Sequence, residues 1–222
     1  MEISMKHEVL WALVVTGLFA ANAQSAEKLV FDASKYSQKV TGCDSLAGHS
    51  DDPDKVVPGL QKPQMDIAAA IGACQVAVAR DPKNPRLNYQ LGRAYGYSGQ
   101  GEKAGPYREI ALAADYPQAL FVYGYMHLTG MNKSTKDPCL GGELMRRAAL
   151  YGRMAGQIGF PLFWLKGTFE GCRVKQDPQE MLEFLNAAAE QTNHSDQETF
   201  YQKTAIELLQ EKMKSRLAVK AK

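Results

Sequence analysis

Four cysteines, Cys43, Cys74, Cys139 and Cys172, are the residues whose type speaks most directly of chemistry. They fall into two pairs, 31 and 33 residues apart, with 65 residues between the inner two. No two form a Cys-x-x-Cys, which disfavours a zinc knuckle or a thioredoxin-type redox couple. A nucleophilic cysteine needs a histidine partner, and no spacing indicates one. An even count in an oxidising compartment argues instead for two disulfides. Three connectivities are open. Sequential pairing, Cys43 with Cys74 and Cys139 with Cys172, closes the shorter loops, each closure contributing about 3–4 kcal/mol.

Other candidate motifs reduce to structure. Gly96-Tyr-Ser-Gly-Gln-Gly-Glu-Lys103 resembles a phosphate loop, but Glu102 separates the last glycine from the lysine and Ala104 stands where Ser or Thr would hold magnesium. It also follows a helical segment rather than a strand, so it is read as a turn. His194-Ser195-Asp196 contains triad residue types, yet adjacency is not triad geometry, and Ser195 or Asp196 is expected to cap the last helix. His49, His127 and His194 lack an i, i+4 partner, so no metal is expected. Asp51, Asp52 and Asp54 lack the alternating ligands and closing Glu of a calcium loop and are read as a solvated loop. Glu109, Glu143, Glu170 and Glu183 could serve an acid–base pair only if two converged, and nothing in the sequence makes them converge.

The composition is that of a globular protein. Of 222 residues, 45% are hydrophobic and 23% charged, which excludes a disordered chain, a collagen-like repeat and a polytopic membrane protein. A net charge of +2 gives no support to nucleic-acid binding. The first 23 residues read as a secretory signal: Lys6 and His7, then an uncharged run from Val9 to Ala21, then Ala21-Asn22-Ala23 for the peptidase. The run is short for a membrane span. The expected product is an exported protein, periplasmic or secreted.

The elements that must position these residues repeat. Pro85 to Tyr95, with Gly92, is followed by Pro117 to His127, with Gly124, and by Met154 to Gly159; Gly92, Gly124 and Gly159 are 32 and 35 residues apart. Ala113-Ala114 and Tyr116 recur 35 residues on as Ala148-Ala149 and Tyr151, and more loosely as Ala187-Ala188-Ala189. Asp137-Pro138 is echoed by Asp177-Pro178, each placing Pro at a first helical position. Such a period is that of a helix pair that cannot bury its apolar face alone and stacks on its neighbours. Gly92, Gly124, Ala104 and Ala111 are then positions where a neighbouring helix presses close.

Residues 85–111 resemble a tetratricopeptide repeat, with Leu91, Gly92, Tyr95, Ala104 and Ala111 at that family's core spacing. The longer loops and Ala-Ala pairs of the later units are similar to Sel1-like repeats, and the resemblance covers about residues 64–191. It implies an all-α, right-handed α/α solenoid of stacked antiparallel helix pairs, and it supports sequential disulfides. Four parts are expected: the signal at 1–23, a segment with a capping helix and a Pro/Asp-rich loop at 24–63, repeats at 64–191, and a C-terminal capping helix with a basic end at 192–222. Helices are expected near 35–47, 64–80, 85–98, 102–114, 117–129, 139–151, 154–170, 179–190 and 197–217, with Pro161 kinking or restarting its helix.

In such repeats the first helix of each pair lines a concave groove. By register, Arg86, Tyr89 and Arg93 and then Gln118, Phe121 and Tyr125 are the implied groove residues. Tyr and Arg favour binding hot spots. The function implied is a protein- or peptide-binding scaffold in the cell envelope, with no catalysis, cofactor or metal. The alternative is an envelope enzyme or a structural component attached to cell-wall material. The C-terminal stretch Lys212 to Lys222 carries five basic residues and no acid, beside an apolar set of Phe200, Ile206, Leu209, Met213 and Leu217. It is read as a capping helix, with weak contact to an anionic membrane or polymer as the sharper reading.

Overall fold

The computed structural model describes residues 28–192 and 197–220. The expected signal segment and the His194-Ser195-Asp196 cap lie outside the described residues. The described residues form helices α1 (Gly42–Ala47), α2 (Ile67–Arg80), α3 (Pro85–Tyr97), α4 (Gly101–Ala113), α5 (Pro117–Thr129), α6 (Pro138–Leu150), α7 (Met154–Leu165), α8 (Pro178–Gln191) and α9 (Gln197–Lys220), with no strand among them. Each helix packs against the next in the chain, an arrangement consistent with an α-solenoid.

Local sequence explains the helix starts. Asn84, Asp137 and Asp177 accept hydrogen bonds from the free amides of α3, α6 and α8, each followed by a proline that needs no acceptor. The expected first helix, 35–47, is instead a short 3-10 turn at Ala33–Lys35 and the six residues of α1. Thr41 and Asp44 form a reciprocal capping box that starts the helix at residue 42, leaving 36–41 outside any helix. Pro161 neither restarts nor ends its helix. It sits inside α7, which stops after Leu165, and Gly167 (φ 73°) turns the chain.

Small residues set the spacing. A Cβ on Gly124 would stand 3.0 Å from the Met145 amide nitrogen and 3.1 Å from the Gly141 carbonyl oxygen. One on Gly141 would meet the Gly124 oxygen at 2.9 Å and Leu128 at 2.8 Å. Helices α5 and α6 therefore touch backbone to backbone. Gly156 meets Ala148 and Ala149 in the same way between α7 and α6, whereas Ala113, in the corresponding Ala-Ala pair, is exposed. The core centres on Phe160, Phe169, Met145, Met181 and Leu185, all fully buried, and Ile206, Leu209 and Met213 seat α9 upon it.

Both disulfides are sequential. Cys43 of α1 joins Cys74 of α2, and Cys139, at the start of α6, joins Cys172 beyond the end of α7. Two disulfides and no free cysteine suit an oxidising, non-cytoplasmic environment. Among the described residues, no helix is long and apolar enough to cross a membrane.

Candidate functional site

Four of the six implied groove residues are buried, and the chain itself covers them. Arg86, Tyr89, Arg93 and Gln118 are at most 6% exposed. Part of the cover is the segment from Lys28 to Asp66, which meets Leu150 at the end of α6, Tyr116 just before α5, and Arg86 and Arg93 on α3 before it enters α2.

The contacts follow the segment in order. The Leu29 amide donates to the Leu150 carbonyl at the end of α6 (3.0 Å). Phe31 packs edge-on against Tyr116 and stacks on Tyr36, with ring centroids 5.4 and 6.0 Å apart. Asn84 donates to the Ser37 carbonyl (3.0 Å). Arg86 donates to the carbonyls of Ser37 and Lys39 and to the Gln38 side chain. Its Nε reaches Asp44 Oδ1 at 2.8 Å, with both side chains almost wholly buried. Gln90 donates to the same carboxylate oxygen (3.1 Å), while the other oxygen accepts from Thr41. Arg93 donates to three carbonyls, those of Ala47, Gly48 and Leu60. A planar guanidinium with several donors suits this reading of main-chain oxygens.

The acidic loop takes part in the same cover, which corrects its reading as a solvated run. Asp52 is fully buried. It accepts from the Tyr116 hydroxyl at 2.7 Å and from the Asp54 amide at 3.0 Å. Burial holds its carboxyl above the usual range, although both hydrogen bonds favour the ionised form. Asp54 is pushed up to about 6 by burial and by Asp52 beside it. His49 is held down to about 4, first by burial and then by Arg93. Asp51 stays exposed and faces Arg153 at 3.9 Å. Arg153 donates to Gln118, and Gln118 donates to the Tyr89 hydroxyl (3.1 Å), so the floor beneath the loop is one polar chain.

Beyond this cover the first helices present a different surface. Phe121 is half-buried and Tyr125 is 37% exposed. Their rings lie 6.3 Å apart, and Tyr125 meets Phe163 of α7 edge-on at 6.2 Å. The Arg153 guanidinium stands 5.1 Å over Phe121 and the Lys166 ammonium 5.6 Å from Phe163. Phe163 and Lys166 were not singled out by sequence, because the glycine register that placed Phe121 and Tyr125 puts Phe160, a core residue, opposite them.

The remaining candidates are dispersed. Gly96 to Lys103 spans the end of α3, the turn at 98–100 and the start of α4, with Gly99 at φ 79°. His127 is half-buried on α5, within 3.0 Å of the Thr135 carbonyl. Glu109, Glu143 and Glu183 lie on α4, α6 and α8, and Glu170 lies past the end of α7. Among the described residues no three His, Cys, Asp or Glu side chains gather as a metal site. Glu180, a carboxylate the sequence did not single out, is structural. It receives both Arg146 donors (2.7 and 2.8 Å) and Lys175 (2.9 Å), tying α6 to α8. Burial alone would raise its carboxyl, but these partners hold it below the usual range.

Compared with models of protein families, with curated proteins and with solved structures, the chain matches none.

Proposed function

We propose that the chain is an exported Sel1-like repeat protein, a right-handed solenoid of antiparallel helix pairs, that binds another protein or peptide and carries out no catalysis. The packing of consecutive helices, the glycine and alanine contacts at the repeat step, and the two disulfides support this reading. The observation that carries the binding role is the aromatic run of exposed Tyr125 between half-buried Phe121 and Phe163, with exposed Lys166 at its edge. Aromatic rings with a cation beside them provide large contact area at low entropic cost.

The segment 28–66 defines the division of labour. It already engages Arg86 and Arg93 on α3, and Tyr89 and Gln118 are buried beside them, so an external partner engages the α5–α7 face instead. The test is capture from envelope extract by the wild-type chain and by a Tyr125→Ser/Phe163→Ser variant of unchanged melting temperature. A named protein retained by the first and lost at least tenfold by the second supports the reading. Equal retention by both places binding elsewhere.

A further inference from the structure

The basic end of α9 meets the end of α7 in a way the groove reading does not use. Lys212, Ser215, Arg216 and Val219 follow one another at i, i+3, i+4 and i+7, so they share one face of α9. With Trp164 and Leu165 they line a single open cleft. The Arg216 guanidinium lies 5.9 Å from the Trp164 ring centroid. The seam that seats α9 on the core ends at Met213, which is fully buried; Leu217 is half-buried, and Val219 is 72% exposed. The last turns of α9 thus leave the core carrying exposed Lys212, Lys214 and Arg216, with Lys220 and Lys222 following in sequence and no acid after Glu211. Lys166 adds an exposed cation at the same end of α7.

We propose that this corner docks on an anionic lipid bilayer. The cations face the headgroups, and Trp164, Leu165 and Val219 enter the boundary between headgroup and acyl chain. Two features select a bilayer over a soluble acidic polymer or peptide. First, exposed Val219 and partly exposed Trp164 and Leu165 line the same cleft as the cations, the mixture that interfacial helices show. Second, a half-exposed tryptophan has the apolar body and polar edge suited to the interface. The charge is complementary to anionic lipid and not to neutral lipid, and each basic residue near such a surface strengthens binding about fivefold. The attachment is weak and reversible, since it rests on a few cations and a small apolar area.

Trp164 reports on the contact directly. The chain has two tryptophans, and Trp11 lies in the expected signal, so the processed chain beginning at Gln24 carries Trp164 as its sole indole. Vesicles of phosphatidylglycerol and phosphatidylcholine, and of phosphatidylcholine alone, are titrated into that processed chain at low and high salt. The expected result is a blue-shifted emission and co-sedimentation with the anionic vesicles only, both reversed by salt. Lys212→Gln/Arg216→Gln, two exposed positions that leave the core untouched, should weaken binding about 30-fold, judged from the contribution of two cations. Trp164→Leu should weaken sedimentation while leaving its salt dependence in place. The proposal is overturned if Trp164 emission does not move, if neutral vesicles bind equally, or if the double variant binds as the parent does. Equal binding to soluble polyphosphate without a spectral shift would assign the patch to an acidic polymer and also overturn it.

Discussion

Arg86→Met should be among the most damaging single changes in the molecule. The Arg86–Asp44 pair is 2.8 Å long, with side chains 4% and 1% exposed. Removing the guanidinium leaves the Asp44 carboxylate buried, with only Gln90 and Thr41 to answer it. It also strips donors from the Ser37 and Lys39 carbonyls. Breaking a buried pair from one side costs about 3–5 kcal/mol. In a chain of this size each kcal/mol moves the melting temperature by about 2–4 °C, so a drop of about 6–20 °C is expected. Asp44→Asn keeps an acceptor for Thr41 and removes the charge. If the orphaned charge is the main cost, the double variant loses clearly less than the two singles together, with a coupling of about 2 kcal/mol. The assay is urea unfolding followed by circular dichroism, with both disulfides intact. An Arg86→Met variant within 1 kcal/mol of the parent on that scale, or strictly additive singles, would refute the reasoning that this pair fastens the segment to α3.

Gly141→Ala forces a methyl against the Gly124 oxygen and Leu128 and should cost about 1–3 kcal/mol, whereas Gly72→Ala, exposed inside α2 with nothing within 4 Å, should stabilise by about 0.5–1 kcal/mol; thermal melts compare the two. His49 stays neutral in the folded chain down to about pH 4, while the unfolded chain takes a proton near 6.5, so its contribution to stability falls as pH drops through that window. His49→Gln should therefore flatten the acid side of a plot of urea midpoint against pH. Asp54 acts oppositely: folded, it holds its proton up to about pH 6, so Asp54→Asn should gain stability above pH 6 and lose that gain below pH 4. Replacing both Cys43 and Cys74 with Ala opens a 31-residue loop and should cost about 3–4 kcal/mol, seen as a lower melting temperature in the absence of reductant.

The helices were legible where capping and periodicity agree. Asn84-Pro85, Asp137-Pro138 and Asp177-Pro178 announce α3, α6 and α8 within a residue. Gly124 was legible as a tight contact because a glycine in mid-helix has little other purpose. The Thr41-x-x-Asp44 signature was also present and would have shortened the first helix. The fastening of residues 37–60 onto α3 was not legible. Arg86 meets Asp44 across 42 residues of sequence, and Arg93 reads carbonyls, which every residue possesses and no side-chain pattern reveals. Asp52 looked solvated for the same reason, since its partner, the Tyr116 hydroxyl, lies 64 residues away.

Residues 37–60 lie on α3, and the proposed partner-binding face is the aromatic run of α5 and α7. A photoreactive phenylalanine placed at position 125 or position 89 and irradiated in the native cell tests both halves at once. The account predicts an intermolecular adduct from position 125 and, from position 89, only links to the chain's own residues. An intermolecular adduct from position 89, or none from position 125, would contradict it.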